Sequence, residues 1–212
     1  MKKAIVLLSG GLDSCVLAAY AKQKREVIAL SFDYGQRHKQ ELVAASAIAA
    51  ALDIDHRIIK ITLPSTSALL DKSKAILHDR SREEMQTSGI PSTYVHARNT
   101  LFLSFAASLA ESEGADEMYF GANKYDHACY PDCRPAFFAA FNALLKVATA
   151  TCSLQVLTPF IALNKKEIIE EGRRLGAPID LSFSCYDPYN DEPCGSCDAC
   201  QLRKEGFSLC TI

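Results

Sequence analysis

Five short runs rich in β-branched and aromatic residues recur along the chain, each followed by a longer helical stretch or turn, and this alternation constrains the fold more than any other feature. The runs are "KAIVLLS" at 3–9, "VIALSFD" at 27–33, "HRIIKIT" at 56–62, "EMYFGA" at 117–122 and "LQVLTPF" at 154–160, all of strand length. Residues 13–24, 38–52, 98–113 and 135–150 are rich in alanine and leucine at helical spacing; Phe137, Phe141, Leu144, Leu145 and Ala148 share one face. A further helix runs from Asn164 to "LGAP" at 175–178. The pattern predicts an α/β fold, a doubly wound and mainly parallel sheet sandwiched by helices. Ligands of such sheets bind outside the carboxyl ends of the strands, which sets "SGGLDS", "SFDYGQRH" and "GANKYD" along one edge. Residues 63–97 break the rhythm: polar and too long for an ordinary connection, they read as a substrate loop or lid.

A chain of 212 residues can bury one ordinary core and a small appendage. Its net charge of −2 gives no electrostatic footprint for phosphate backbones, so no direct nucleic-acid partner is expected. The basic pairs Lys165-Lys166 and Arg173-Arg174 read as solvated helix faces. The apolar run near the N-terminus is too short for a signal peptide and none is long enough to span a membrane, so a soluble cytoplasmic protein is expected.

In "LLSGGLDS", a glycine turn leads from a strand into a helix and presents backbone N–H groups at the positive helix end, where an anion is stabilised. Gly10 and Gly11 keep side chains away, and Ser9 and Ser14 add hydroxyl donors. Asp13 either caps the helix or shares a cation with bound phosphates. The loop is neither GxxxxGK[ST] nor GxGxxG.

Nine cysteines are many for a chain in a reducing compartment. Cys194, Cys197 and Cys200 form C-x2-C-x2-C, with Cys185 nine residues upstream. Four thiolates in this span can close a tetrahedron around a structural Zn2+, with no open position for water. An iron-sulfur cluster is the rival, disfavoured because Lys204 falls near where the ferredoxin run continues with cysteine and proline. The expected organisation is therefore an α/β domain over 1–180, carrying the 63–97 insertion, and a C-terminal four-cysteine zinc segment over 181–212. Cys15, Cys129, Cys133, Cys152 and Cys210 read as core residues.

"YDHACYPDCR" at 125–134 mixes Asp126, His127, Tyr130, Asp132 and Arg134 on the ligand-binding edge, a set suited to a flat, hydrogen-bonding anion; His127 alone reads as a solvated turn residue. "ARNTLFLS" puts Arg98 and Asn99 at a helix start, as ligand groups or as cap and surface charge. "FDYGQRH" follows the second strand, where a nucleotide's sugar or base is expected.

The opening loop resembles the SGGxDS loop of the N-type ATP pyrophosphatases, which grips the β- and γ-phosphates as departing pyrophosphate. Taken together, "SGGLDS", "FDYGQRH", "RN" at Arg98, "YPDCR" at Tyr130 and "SCY" followed by "CGSCDAC" resemble the 7-cyano-7-deazaguanine synthase family of the queuosine precursor pathway, from Ala4 to about Arg203. The resemblance implies an adenine-nucleotide α-hydrolase-like sandwich, a homodimer, and an ATP-dependent ligase that converts 7-carboxy-7-deazaguanine and ammonia to the nitrile with Mg2+ at the phosphates. By motif, Leu8, Ser9, Gly10, Gly11, Leu12, Asp13, Ser14 and Cys15 would surround ATP. Arg98, Asn99, Tyr130, Asp132 and Arg134 would line the deazapurine pocket, and Cys185, Cys194, Cys197 and Cys200 would hold zinc. No nucleophilic side chain is nominated; Cys15 and Cys133 read as packing residues. His96-Ala97 and Cys129 depart from the "VPGRN" and "SGYPDCR" of the family pattern. Other enzymes with this loop, tRNA thiolases or lysidine-type synthetases, would want a basic surface and, for thiolation, a catalytic cysteine pair. A non-catalytic zinc module would leave the phosphate loop unexplained.

Overall fold

The computed structural model describes residues 1–64, 66–151 and 153–210, without the side chains of Gln86, His127 and Ala128. Cys152 and the His127 side chain therefore lie outside the described residues. Strands β1 (Lys3–Leu7), β2 (Glu26–Asp33), β3 (Asp55–Lys60), β4 (Glu117–Tyr119) and β5 (Gln155–Leu157) form one sheet in the order β3-β2-β1-β4-β5, every pair parallel. Each expected run is a strand, the last two trimmed to three residues. The helices are α1 (Leu12–Lys22), α2 (Gln40–Ala51), α3 (Arg82–Thr87), α4 (Arg98–Glu113), α5 (Asp126–Cys129), α6 (Pro135–Ala148), α7 (Lys165–Leu175) and α8 (Asp198–Leu209).

The central strand shows why its run carries no polar alternation. Ala4, Val6 and Leu8 enter one core with residues of α1, α2 and α7, whereas Ile5 and Leu7 enter the other with residues of α4 and α6. Successive side chains point to opposite faces, and both faces are covered. β2 divides the same way, and Phe32 stacks on Phe102 of α4 with ring centroids 3.9 Å apart.

From β1 the chain builds β2 and β3 on one side and then β4 and β5 on the other. The switch point thus falls between β1 and β4, where the loops after their carboxyl ends part and leave a crevice. The C-terminal segment returns to this edge: Phe183 N donates to Gly10 O at 2.9 Å, and Arg203 donates to Ser182 Oγ at 2.7 Å. Among the described residues, no helix is long and apolar enough to cross a membrane.

Candidate active site

The loop between β1 and α1 is held by its neighbours on both sides. Gly10 has φ +89°, and a Cβ there would stand 2.0 Å from the carbonyl oxygen of Glu41, so the loop lies directly on the first turn of α2. Gly11 occupies the N-cap of α1 without a side-chain cap. The Gly11 and Leu12 amides donate to Ser9 Oγ and Ser184 Oγ, both at 3.3 Å, the long end of the range. Hydroxyls hold these amides loosely, where a phosphate oxygen would hold them better.

Asp13 does not cap the helix. Its Oδ2 accepts from Asn123 Nδ2 at 2.8 Å and pairs with Lys165 Nζ at 2.5 Å, while Oδ1 is buried without a partner. Lys165 is thus no solvated helix residue: it is the first residue of α7, its side chain 16% exposed and turned inward to Asp13. Lys166, with a side chain 43% exposed, does face solvent as expected. Cys15 is fully buried, and burial pushes its thiol up to about 12; its side chain faces the core below the loop.

Across the crevice, Arg98 opens α4. Its guanidinium donates to Tyr34 Oη at 3.2 Å and lies 5.6 Å from the ring centres of Tyr34 and Phe102, with Nε buried and unpartnered. Asp132 is buried, and its Oδ2 accepts from the Asn99 amide at 3.1 Å, satisfying one of the orphan donors of α4. Asn99 returns the tie through Nδ2 to Asp132 O at 3.1 Å and Cys133 Sγ at 3.3 Å. Tyr130 Oη shares a hydrogen bond of 3.1 Å with Thr93 of the insertion, and burial pushes its phenol up to about 12. Arg134 is exposed at the N-cap of α6 and is not among the residues lining the crevice.

Ser9, Asp13, Arg98, Tyr130 and Asp132 line one cavity of about 280 Å³, closed on a third side by Thr93 and Tyr94 of the insertion. Two further carboxyls line it. Burial pushes Glu41 up to about 7, against the attraction of Arg98, and Asp126 up to about 6, against Lys165 and with Asp13 repelling its charge. Sequence reasoning missed Glu41 and Lys165, because each sits on a helix whose charged residues otherwise face water. Gln36 and Arg37 of the "FDYGQRH" stretch also line the cavity, and both brace backbone: Gln36 holds the turn after β2, and Arg37 donates to Ala68 O at 3.3 Å and Lys74 O at 3.2 Å.

The sulfurs of Cys185, Cys194, Cys197 and Cys200 all lie within 4.8 Å of one another, and Cys194 and Cys200 stand 3.9 Å apart. A tetrahedron of thiolates around zinc needs sulfurs about 3.8 Å apart, so the donor set fits with little movement. Amides of Tyr186, Cys194 and Cys197 donate to Cys197, Cys185 and Cys194 sulfurs at 3.3 to 3.4 Å, an arrangement that favours thiolates. The insertion docks here: His78 forms an antiparallel bridge with Cys197, and Arg80 pairs with Asp198.

The fold defines the class, an α/β protein with the adenine-nucleotide α-hydrolase-like fold. Two solved structures share the fold: NMN synthetase from Francisella tularensis (TM-score 0.54, 18% identity, covering 98% of this chain and 76% of that one) and the U34-tRNA thiolase NcsA from Methanococcus maripaludis (TM-score 0.52, 16% identity, covering 98% and 65%). Residues 3–211 match the family described as queuosine biosynthesis protein QueC. Curated relatives called 7-cyano-7-deazaguanine synthase include those of Leptospira interrogans, 49% identical over 97% of this chain and 86% of its own, and Anaeromyxobacter dehalogenans, 46% identical over 98% and 92%. The chain is an enzyme and belongs to the QueC family of queuosine biosynthesis proteins.

Proposed function

We propose that the chain converts 7-carboxy-7-deazaguanine and ammonia to 7-cyano-7-deazaguanine at the expense of two ATP, each released as AMP and pyrophosphate. The observation that carries the reading is one cavity that sets the Ser9–Ser14 loop, whose Gly11 and Leu12 amides are held only by long bonds to hydroxyls, opposite the buried guanidinium of Arg98 in a chain of this family. The phosphates would lie on the loop amides and serine hydroxyls, with Lys165 supplying the positive charge that a P-loop takes from its own lysine. Arg98 would pair with the substrate's carboxylate, and the ring of Tyr130 would lie along its flat face. Asp132 and Asn99 act as positioning residues for Arg98, since each is spent on the other's backbone.

A carboxylate oxygen is a poor leaving group; attack on the α-phosphorus converts it to an acyl-adenylate. Ammonia then displaces AMP to give the amide. The amide oxygen attacks a second α-phosphorus, and its departure as AMP leaves the nitrile. The side chains serve by positioning reactants and stabilising developing charge. The unpartnered Asp13 Oδ1 and the nearby Asp126 fit a Mg2+, which would neutralise the departing pyrophosphate. Zn2+ on the four cysteines would supply folding energy alone.

The motif resemblance supports a homodimer, and the eight described cysteines, none of them in a disulfide, suit the cytoplasm. The 63–97 insertion would act as a wall of the acid pocket, and 181–212 as a metal-stapled segment of the main body. Incubation with magnesium-ATP, ammonium and the acid, read by mass spectrometry, is expected to yield the nitrile with AMP. Arg98→Ala is expected to raise KM for the acid at least tenfold with little change in KM for ATP. ADP as product, or an unchanged KM, would contradict the reading.

A further inference from the structure

We propose that Glu41 is the general base of this reaction, accepting the protons that the nitrogen of ammonia sheds on its way to a nitrile. The inference rests on the function proposed above and goes further into the same cavity. The chemistry demands such a group. When the carbon–nitrogen bond forms and the bond from carbon to the AMP oxygen breaks, the nitrogen releases one proton. A second leaves as the amide oxygen bonds to phosphorus and pyrophosphate departs. The third leaves as the second carbon–oxygen bond breaks, AMP departs and the triple bond closes. Adenylation of the acid itself moves no proton, because its carboxylate is already ionised.

Among the described residues, Glu41 is the carboxylate in the cavity that nothing engages. It lines the crevice and makes no side-chain hydrogen bond or ion pair. Its backbone is fixed to the phosphate loop by the contact with Gly10, so the carboxylate is held in place relative to the bound phosphates. The groups that face it are Arg98 from α4 and Tyr34 from the loop after β2. Arg98 is the residue assigned to the reacting carboxylate, which places Glu41 on the reacting side of the cavity. Two other carboxyls of the cavity accept from backbone amides, Asp132 from Asn99 and Asp126 from Asn123 at 3.0 Å beside Lys165 and Asp13, while the His38 imidazole stands edge-on to Phe183 with its pKa lowered by burial. Burial holds the Glu41 carboxyl at about 7, so near neutrality it can take a proton and return it to water between steps.

The test compares two rates in wild type, Glu41→Gln and Glu41→Asp. One is acid-dependent exchange of pyrophosphate into ATP, which reports adenylation; the other is nitrile formation. In the Gln variant, nitrile formation is expected to fall at least about 100-fold while exchange stays within about threefold of wild type. The rise of wild-type kcat with pH near 7 should vanish in that variant, and the Asp variant should recover a tenth or more of the lost rate. Parallel loss of exchange, an unchanged nitrile rate, or a pH limb that persists in the Gln variant would overturn the role of Glu41 alone. Wild-type enzyme without acid-dependent exchange would overturn the function itself, and the role with it.

Discussion

At the scale of single residues, the cavity is lined by three buried side-chain atoms without partners, Asp13 Oδ1, His38 Nδ1 and Arg98 Nε, and one strained residue stands beside it. Ala97 stands at φ +51°, ψ 24° immediately before α4, a left-handed conformation that costs an alanine about 1 kcal/mol relative to glycine. It is one of two positions where the resemblance led glycine to be expected; the other, Cys129, is helical and needs no glycine. Ala97→Gly is expected to stabilise the protein by up to about 1 kcal/mol, a rise of about 2–4 °C in Tm measured by calorimetry. Glu41 makes a second prediction. Its folded carboxyl binds a proton more tightly than its unfolded one, so its contribution is greatest below about 4.5 and is lost as pH rises through about 7. Denaturant titrations from pH 4 to 8 should show wild type losing stability over that window relative to Glu41→Gln, and parallel curves would contradict the assignment.

At the scale of elements, the insertion and the cysteine segment form one unit. Ala68 and Ile76 share a small buried cluster with Cys185, Cys197 and Cys200, and Arg80 and Arg82 pair with Asp198 and Glu205 of α8. Stripping the metal should therefore free the insertion as well as the tail. Limited proteolysis of the chelated protein is expected to cut within 63–97, with metal analysis of the untreated protein giving one zinc per chain. Brown protein containing iron would contradict the zinc assignment. The strand runs and main helices were legible because burial on both faces writes itself as unbroken apolar sequence. α3, α5 and α8 were not: α3 and α5 are six and four residues long, and α8 buries only Cys200 and Gly206, so none writes an apolar stripe, and the packing of α3 and α8 depends on cysteines and arginines far apart in the chain. The glycine turn after β1 and the cysteine cluster were legible for a related reason: their residues are contiguous or nearly so. The inward turn of Lys165 and the exposure of Arg134 are tertiary facts, decided by where α7 and α6 dock.

At the scale of the whole molecule, the sheet places its switch point between β1 and β4, and everything chemical gathers there. One arm of the chain brings the Ser9–Ser14 loop, the other brings "GANKYD" and "YPDCR", and the C-terminal segment closes the crevice through Phe183 and Ser184. In the proposed reaction both adenylations would take place at this one crevice. The most direct test uses acid labelled with 18O at both carboxylate oxygens and follows where the label goes. Attack of substrate oxygen on the α-phosphorus, once as acid and once as amide, predicts that every nitrile is accompanied by two AMP molecules, each carrying one 18O on its phosphate. Label found in inorganic phosphate or water, with unlabelled AMP, would contradict adenylyl transfer at this site.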